Sequence, residues 1–146
     1  MAAKLYNPKE VNIVYRGHVI EGPFAADTMV SIAYSEQQFS LAMGAKGGGT
    51  RSNTNNLSAT ITVTLAQSSP SNDVLGDFTL EDVRDSKGIP GSLAVQDASG
   101  TGLFNAETAW VQQITPVEYN RETSDRTWVF ETDELIPDKI GSNTGP

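Results

Sequence analysis

Leu57-Ser58-Ala59-Thr60-Ile61-Thr62-Val63-Thr64-Leu65 is the stretch that decides the fold. Every odd position is apolar and every even position carries a hydroxyl. A period of two places alternate side chains on opposite faces of an extended chain, so this segment reads as a strand with one face on a core. Threonine on the other face keeps β propensity without adding charge.

Upstream of it, Val11–Tyr15 and His18-Val19-Ile20 flank an Arg16-Gly17 turn and read as a hairpin, which Gly22-Pro23 stops. Met29–Tyr34 and Phe39–Met43 are two further β-rich runs. Downstream, one helix is expected. Ser69 suits its N-cap, Pro70 its first position, and Asp73 complements its positive end. Val74, Leu75, Phe78 and Val83 supply an apolar stripe, and Gly88 after Lys87 ends the segment. Gly76 inside it costs about 1 kcal/mol relative to Ala, so packing has to hold it. Leu93-Ala94-Val95 is a short strand and Asp97–Gly102 its turn. Two long strands follow, Phe104–Ile114 and Arg126–Leu135, each with one Trp (Trp110, Trp128) assigned to the core. The sum predicts a mainly β fold, a β-sandwich or barrel of about seven or eight strands carrying one α-helix.

At 146 residues the chain is expected to form a single domain over residues 1–146, with an N-terminal arm at 1–10 and a loose C-terminal tail at 136–146. Gly44–Asn56 holds no large apolar side chain and no acid, so alone it cannot offset the entropy of being ordered. It reads as a flexible assembly loop, and its Lys46, Arg51, Asn53, Asn55 and Asn56 are the candidate contacts to neighbouring subunits.

There is no cysteine, which removes disulfides, thiolate metal sites and a cysteine nucleophile, and favours folding inside a cell. No run approaches the roughly 18 apolar residues of a membrane span, and the N-terminus lacks the apolar core of a signal peptide. The net charge of −8 is uneven: residues 1–72 hold five basic and four acidic groups, residues 73–146 five basic and fourteen acidic. That excess argues against tight nucleic-acid binding, which needs clustered Lys and Arg.

Each candidate for chemistry fails on geometry or spacing. His18 is the single histidine, and no serine–carboxylate spacing converges on it. Gly44–Thr50 lacks the lysine that a phosphate loop places before Ser/Thr. Asp97, Ser99 and Thr101 echo a calcium loop, yet its twelfth position is Thr108 instead of a bidentate glutamate. Neighbouring acids such as Asp133-Glu134 point to opposite faces of a strand. The residues therefore predict no catalytic site, no metal and no cofactor. What remains is a β domain with an arm, a polar loop and a tail, the parts by which a subunit grips its neighbours, and with sheet edges that must be paired or shielded.

The order of segments resembles a known family. Tyr6-Asn7-Pro8-Lys9 precedes Val11-Asn12-Ile13, and Gly22-Pro23-Phe24-Ala25 precedes Met29-Val30. The Thr-rich strand is followed by Ser69-Pro70-Ser71-Asn72-Asp73-Val74-Leu75, the most specific piece, and later by Ala109-Trp110-Val111 and Arg126-Thr127-Trp128. From about Tyr6 to Leu135 this resembles the small tail tube proteins of contractile-tailed bacteriophages. The resemblance implies hexameric rings whose strands line an inner barrel, stacked within a tail sheath into a tube. It also implies tape-measure, baseplate and tail-terminator partners, assembly in the host bacterial cytoplasm, residence in the virion tail, and transient passage of DNA without specific binding. No membrane partner follows from it. The alternatives are the same tube in a bacteriocin or secretion-system particle, or a free carbohydrate-binding β-sandwich.

Overall fold

A computed structural model describes residues 3–85 and 91–143. Among them are ten strands, a short 3-10 turn (Pro8–Glu10) and one α-helix. The strands are β1 (Val11–Tyr15), β2 (His18–Val19), β3 (Val30–Tyr34), β4 (Phe39–Met43), β5 (Gly49–Asn53), β6 (Ala59–Leu65), β7 (Gly91–Asp97), β8 (Leu103–Val111), β9 (Arg126–Thr132) and β10 (Ile136–Lys139); helix α1 spans Ser71–Arg84.

The alternating segment lies well inside the sheet. β6 pairs antiparallel with β3 on one side and β9 on the other, so Ile61 faces Ile32 and Phe130, and Val63 faces Val30 and Trp128. Ala59, Ile61, Val63 and Leu65 are buried while Thr60, Thr62 and Thr64 are half-buried on the opposite face, as a period of two requires. The hydrogen-bonded path runs β2-β1-β7-β8-β9-β6-β3 and leaves β2 and β3 at its ends, so it does not close into a barrel. It does fold over on itself. β1 and β9 are three strand spacings apart, roughly 14 Å in a flat sheet, yet the Tyr15 and Phe130 rings meet at 5.0 Å. β8 is where the path divides: residues 103–105 pair with β10, and Ala109–Val111 pair with β9. The architecture is sandwich-like, around a core drawn from β1, β6, β7, β8, β9 and α1.

Two strands lie where none was expected. β5 occupies part of the Gly44–Asn56 segment, paired with β4, and β10 occupies the start of the tail, paired with β8. Neither carries an apolar alternation of its own; backbone pairing with a partner strand orders them. Trp110 is also not a core residue. It is half-buried on the outer face opposite Glu131, whereas Trp128 is 3% exposed in the core.

The helix begins one residue later than expected. Pro70 is its N-cap, without a side-chain cap bond, and Ser69 Oγ accepts from Ser71 N–H at 3.3 Å. It closes at Arg84, and Gly88 lies outside the described residues. The buried stripe is Ser71, Leu75 and Thr79, spaced four apart, instead of one reaching Val83, which is 67% exposed. Thr79 fits there because its hydroxyl donates to Leu75 O at 2.8 Å. A Cβ built on Gly76 would meet Trp128 Cη2 at 4.0 Å, an ordinary contact. Gly76→Ala is therefore expected to raise stability by about 0.5–1 kcal/mol, through helix propensity alone; a denaturant titration that finds a loss would place hidden crowding at Trp128.

Arg16 joins hairpin β1–β2 to the helix. It has a positive φ of 52°, and its guanidinium sits 5.3 Å from the Tyr15 ring centroid and 5.2 Å from that of Phe78. It donates to Asp82 Oδ1, with Glu81 at 3.8 Å. Burial alone would lower its pKa, but the Asp82 hydrogen bond and neighbouring charges carry it above the ordinary value. Gly91 makes room for this arm, since a Cβ there would fall 2.2 Å from Arg16 Cγ.

Candidate assembly surface

The segment between Tyr34 and Ala59 is built around a hairpin that forms a sheet of its own. β4 and β5 pair Phe39 with Asn53, Leu41 with Arg51 and Met43 with Gly49. Cross-strand partners share a face. One face therefore carries Phe39, Leu41, Met43, Arg51 and Asn53; the other carries Ser40, Ala42, Thr50 and Ser52. Phe39, Leu41 and Met43 are 50%, 68% and 64% exposed, so nothing among the described residues covers this apolar face. The Arg51 guanidinium lies 4.6 Å from the Phe39 ring centroid and puts a cation in the middle of it. Gly49 leaves Leu41 and Met43 free to lie over the backbone: a Cβ there would sit 2.9 Å from Leu41 Cδ1 and 3.2 Å from Met43 Sδ, and these exposed side chains would have to shift.

The five candidate contact residues separate into two roles. Lys46 is exposed in the turn joining the strands, where Gly47 and Gly48 adopt φ of +91° and +81°. Arg51 stands on the apolar face. Within the subunit, Asn53, Asn55 and Asn56 shape the base of the hairpin. Asn53 Oδ1 accepts from Asn55 N–H at 2.9 Å, Asn55 takes a φ of +56°, and Asn56 Oδ1 accepts from Ser58 N–H at 2.9 Å. Thr54 fastens the same base, its N–H donating to Gln38 O at 2.9 Å and its hydroxyl to Gln37 O at 2.8 Å. The apolar half of the surface, Phe39, Leu41 and Met43, was read from sequence only as a strand. The signal was present in its odd-position alternation, next to a partner strand with no apolar residues.

Two sequence candidates for chemistry have structural partners. His18 Nε2 lies 3.2 Å from Ser71 Oγ, but Ser71 is 1% exposed and its Oγ also accepts from Glu21 N–H at 2.8 Å. The pair ties the β1–β2 hairpin to the start of α1. His18→Gln should cost about 1 kcal/mol or less and leave assembly intact; assemblies that form normally yet lose function would instead reveal chemistry at this residue. Asp97 Oδ1 accepts from Ser99 N–H at 3.0 Å and from the Ser99 hydroxyl at 2.6 Å, and the Ser99 hydroxyl bond leads in holding the Asp97 carboxyl below its usual range. That is a side-chain-capped turn between β7 and β8. Among the described residues no group of three or more His, Cys, Asp or Glu side chains is arranged to hold a metal ion, and no helix is long and apolar enough to cross a membrane.

The chain is thus a β-sandwich with one helix and an exposed hairpin, and comparison with known proteins relates it to a phage structural protein. No protein-family model matches the chain. Structural protein ORF10 of Pseudomonas phage KPP10 is 32% identical over 133 residues, covering 86% of this chain and 76% of that protein. This chain belongs to the family of that phage structural protein. The fold matches chains in three solved structures. One is the sheath/tube terminator of the extracellular contractile injection system PVC in its extended state (12% identity, TM-score 0.59, 93% of this chain and 98% of that one). Another is the tube-terminating cap of the anti-feeding prophage (8%, TM-score 0.60, 93% and 92%). The third is the PVC sheath–tube complex in its extended state (13%, TM-score 0.56, 90% and 90%).

Proposed function

We propose that this chain is the tube subunit of a contractile phage tail, in which copies form hexameric rings that stack around a lumen. The observation that carries the reading is the uncovered Phe39–Leu41–Met43 face on a hairpin standing outside the core, in a chain whose fold recurs in contractile sheath–tube assemblies. An apolar face of this kind is covered in the working state by another molecule. Ring stacking needs unlike surfaces to meet head to tail, because a self-complementary contact would close into a pair. The partners on this reading are the sheath, tape measure, baseplate and terminator proteins, with assembly in the host bacterial cytoplasm and the virion tail as destination. DNA passes without specific binding, because an acidic subunit repels phosphate.

A tube-terminating cap is the second reading, favoured by the two matched structures that carry terminators or caps. Electron microscopy and sedimentation of the purified full chain separate the two: a tube subunit grows tubes of indefinite length, a cap stops at single rings. A chain that stays monomeric at every concentration would remove both.

Within the tube reading, Lys46 and Arg51 of one subunit meet acidic surface on the next. The stretch from Gln37 to Asn72 carries these two cations and no acid. An exposed pair contributes only about 0–1 kcal/mol, but repetition around a ring biases docking and speeds encounter. Lys46→Glu with Arg51→Glu should slow tube growth by about tenfold or more at low salt, with partial recovery as salt screens the repulsion. Light-scattering traces unchanged at low salt would leave shape and backbone pairing as the stacking forces.

A further inference from the structure

The hairpin has a counterpart on the same subunit. A cleft of about 520 Å³ is lined by Tyr6, Pro8, Val11, Phe24, Met29 and Val30, and its rim carries the exposed Asp27. Among the described residues that line it, Asp27 is the single charged one. The hairpin face is its inverse, three apolar side chains around one cation, Arg51.

Topology sets these two surfaces at opposite ends of one ladder. β3 starts at Val30, in the wall of the cleft, and ends at Tyr34, from which the chain runs into the hairpin. β6 returns from the hairpin at Ala59, opposite Tyr34, and reaches the cleft at Leu65, which bridges Phe24. Four residue steps of about 3.3 Å put roughly 13 Å of paired strand between them. A hairpin thus projects from one end of the ladder while the cleft sits at the other. Two unlike, complementary patches on opposite ends of one subunit make a contact that repeats instead of closing.

We propose that the β4–β5 hairpin of one copy seats its Phe39–Leu41–Met43 face in the Tyr6–Val30 cleft of the next copy, with Arg51 facing Asp27. The proposal rests on self-assembly as argued above and names the surfaces that carry it. The apolar burial supplies affinity, and the single charge pair fixes orientation, since a mismatched docking would leave Arg51 buried without a partner.

The absence of cysteine makes a direct test simple. Leu41→Cys and Thr28→Cys, both at exposed positions, are introduced into the full chain singly and together, and assemblies are oxidised. The double variant should give a ladder of disulfide-linked multimers, a mixture of the two single variants only dimers of one with the other, and a Leu41→Cys/Val83→Cys control no ladder. In parallel, Arg51→Asp and Asp27→Arg should each slow assembly by about tenfold, and the two in one chain should recover most of the rate. Wild-type protein that never assembles would overturn the assembly reading and this contact with it. Assembly without the ladder, or single charge swaps that leave the rate unchanged, would overturn this contact alone. Circular dichroism and thermal melts of each variant show that the fold is retained, as expected for exposed positions outside the core.

Discussion

Excision of residues 39–53, with Gln38 joined to Thr54 through an Asn-Gly turn, is expected to give a folded monomer that does not polymerise. The cut falls just beyond a pair already held together, since Thr54 N–H donates to Gln38 O at 2.9 Å. No residue of the excised segment belongs to the buried core. Its removal therefore takes away exposed apolar surface while the β3–β6 ladder keeps its register. Shortening the connection also favours folding slightly, by about 0.6 kcal/mol for each halving of loop length. Stability should stay within about 1 kcal/mol of wild type, or rise. Assembly, by contrast, should fall below detection, because the excised residues include the whole apolar face and both cations of the hairpin. The two measurements, a denaturant melt and an assembly assay, must diverge. A shortened chain that still forms normal tubes would reduce the hairpin to a surface excursion and shift the search for contacts to the arm and tail.

The difference between what was legible in this sequence and what was not has a physical cause. β6 could be read because its pattern is its own: each apolar residue faces the core and each threonine the other side, whatever it pairs with. The β1–β2 hairpin could be read because Arg16-Gly17 marks its turn, with positive φ at both residues. β5 is different. Gly49–Asn53 is a strand only because β4 lies beside it, with Leu41 and Met43 lying over Gly49. A window of sequence sees glycine and polar groups and reports a loop. β10 is hidden in the same way by Pro137, tolerated on a strand that lies off the main path and, among the described residues, pairs only with β8. In the helix, the buried stripe runs through Ser71 and Thr79, which periodicity of apolar residues alone cannot find. Of the candidate contacts, Lys46 and Arg51 were visible as cations in an acid-free stretch. The three asparagines were visible too, and within the subunit they shape the base of the hairpin. The cleft that complements the hairpin draws on the arm, on β1 and on the segment before β3, and only the folded chain brings these together.

Asp82→Ala is expected to destabilise the subunit by about 2–3 kcal/mol, for a reason the sequence conceals completely. There, Arg16 is a turn residue and Asp82 one of many acids on a helix. In the fold they lie 66 positions apart in sequence and bond directly, with side chains only 11% and 19% exposed. Breaking a buried pair costs about 3–5 kcal/mol, because the remaining charge is left without compensation. Two features reduce that here: both groups keep some contact with solvent, and Glu81 lies 3.8 Å from Arg16, with its own side chain 68% exposed. For a chain of this length, 2–3 kcal/mol corresponds to roughly 5–10 °C in melting temperature. Asp82→Asn keeps an acceptor and loses only the charge, so its cost should be smaller, near 1 kcal/mol. The decisive variant is Asp82→Ala combined with Arg16→Met. If the penalty comes from a guanidinium that has lost its Asp82 partner between the Tyr15 and Phe78 rings, a flexible apolar side chain in that slot should recover much of the loss. If instead the pair acts by pinning the β1–β2 hairpin to α1, the double variant should melt as low as Asp82→Ala or lower. A melting temperature of Asp82→Ala within a degree of wild type would show that the other contacts of Arg16, Glu81 among them, suffice to hold it, and that this ion pair does not fix the helix.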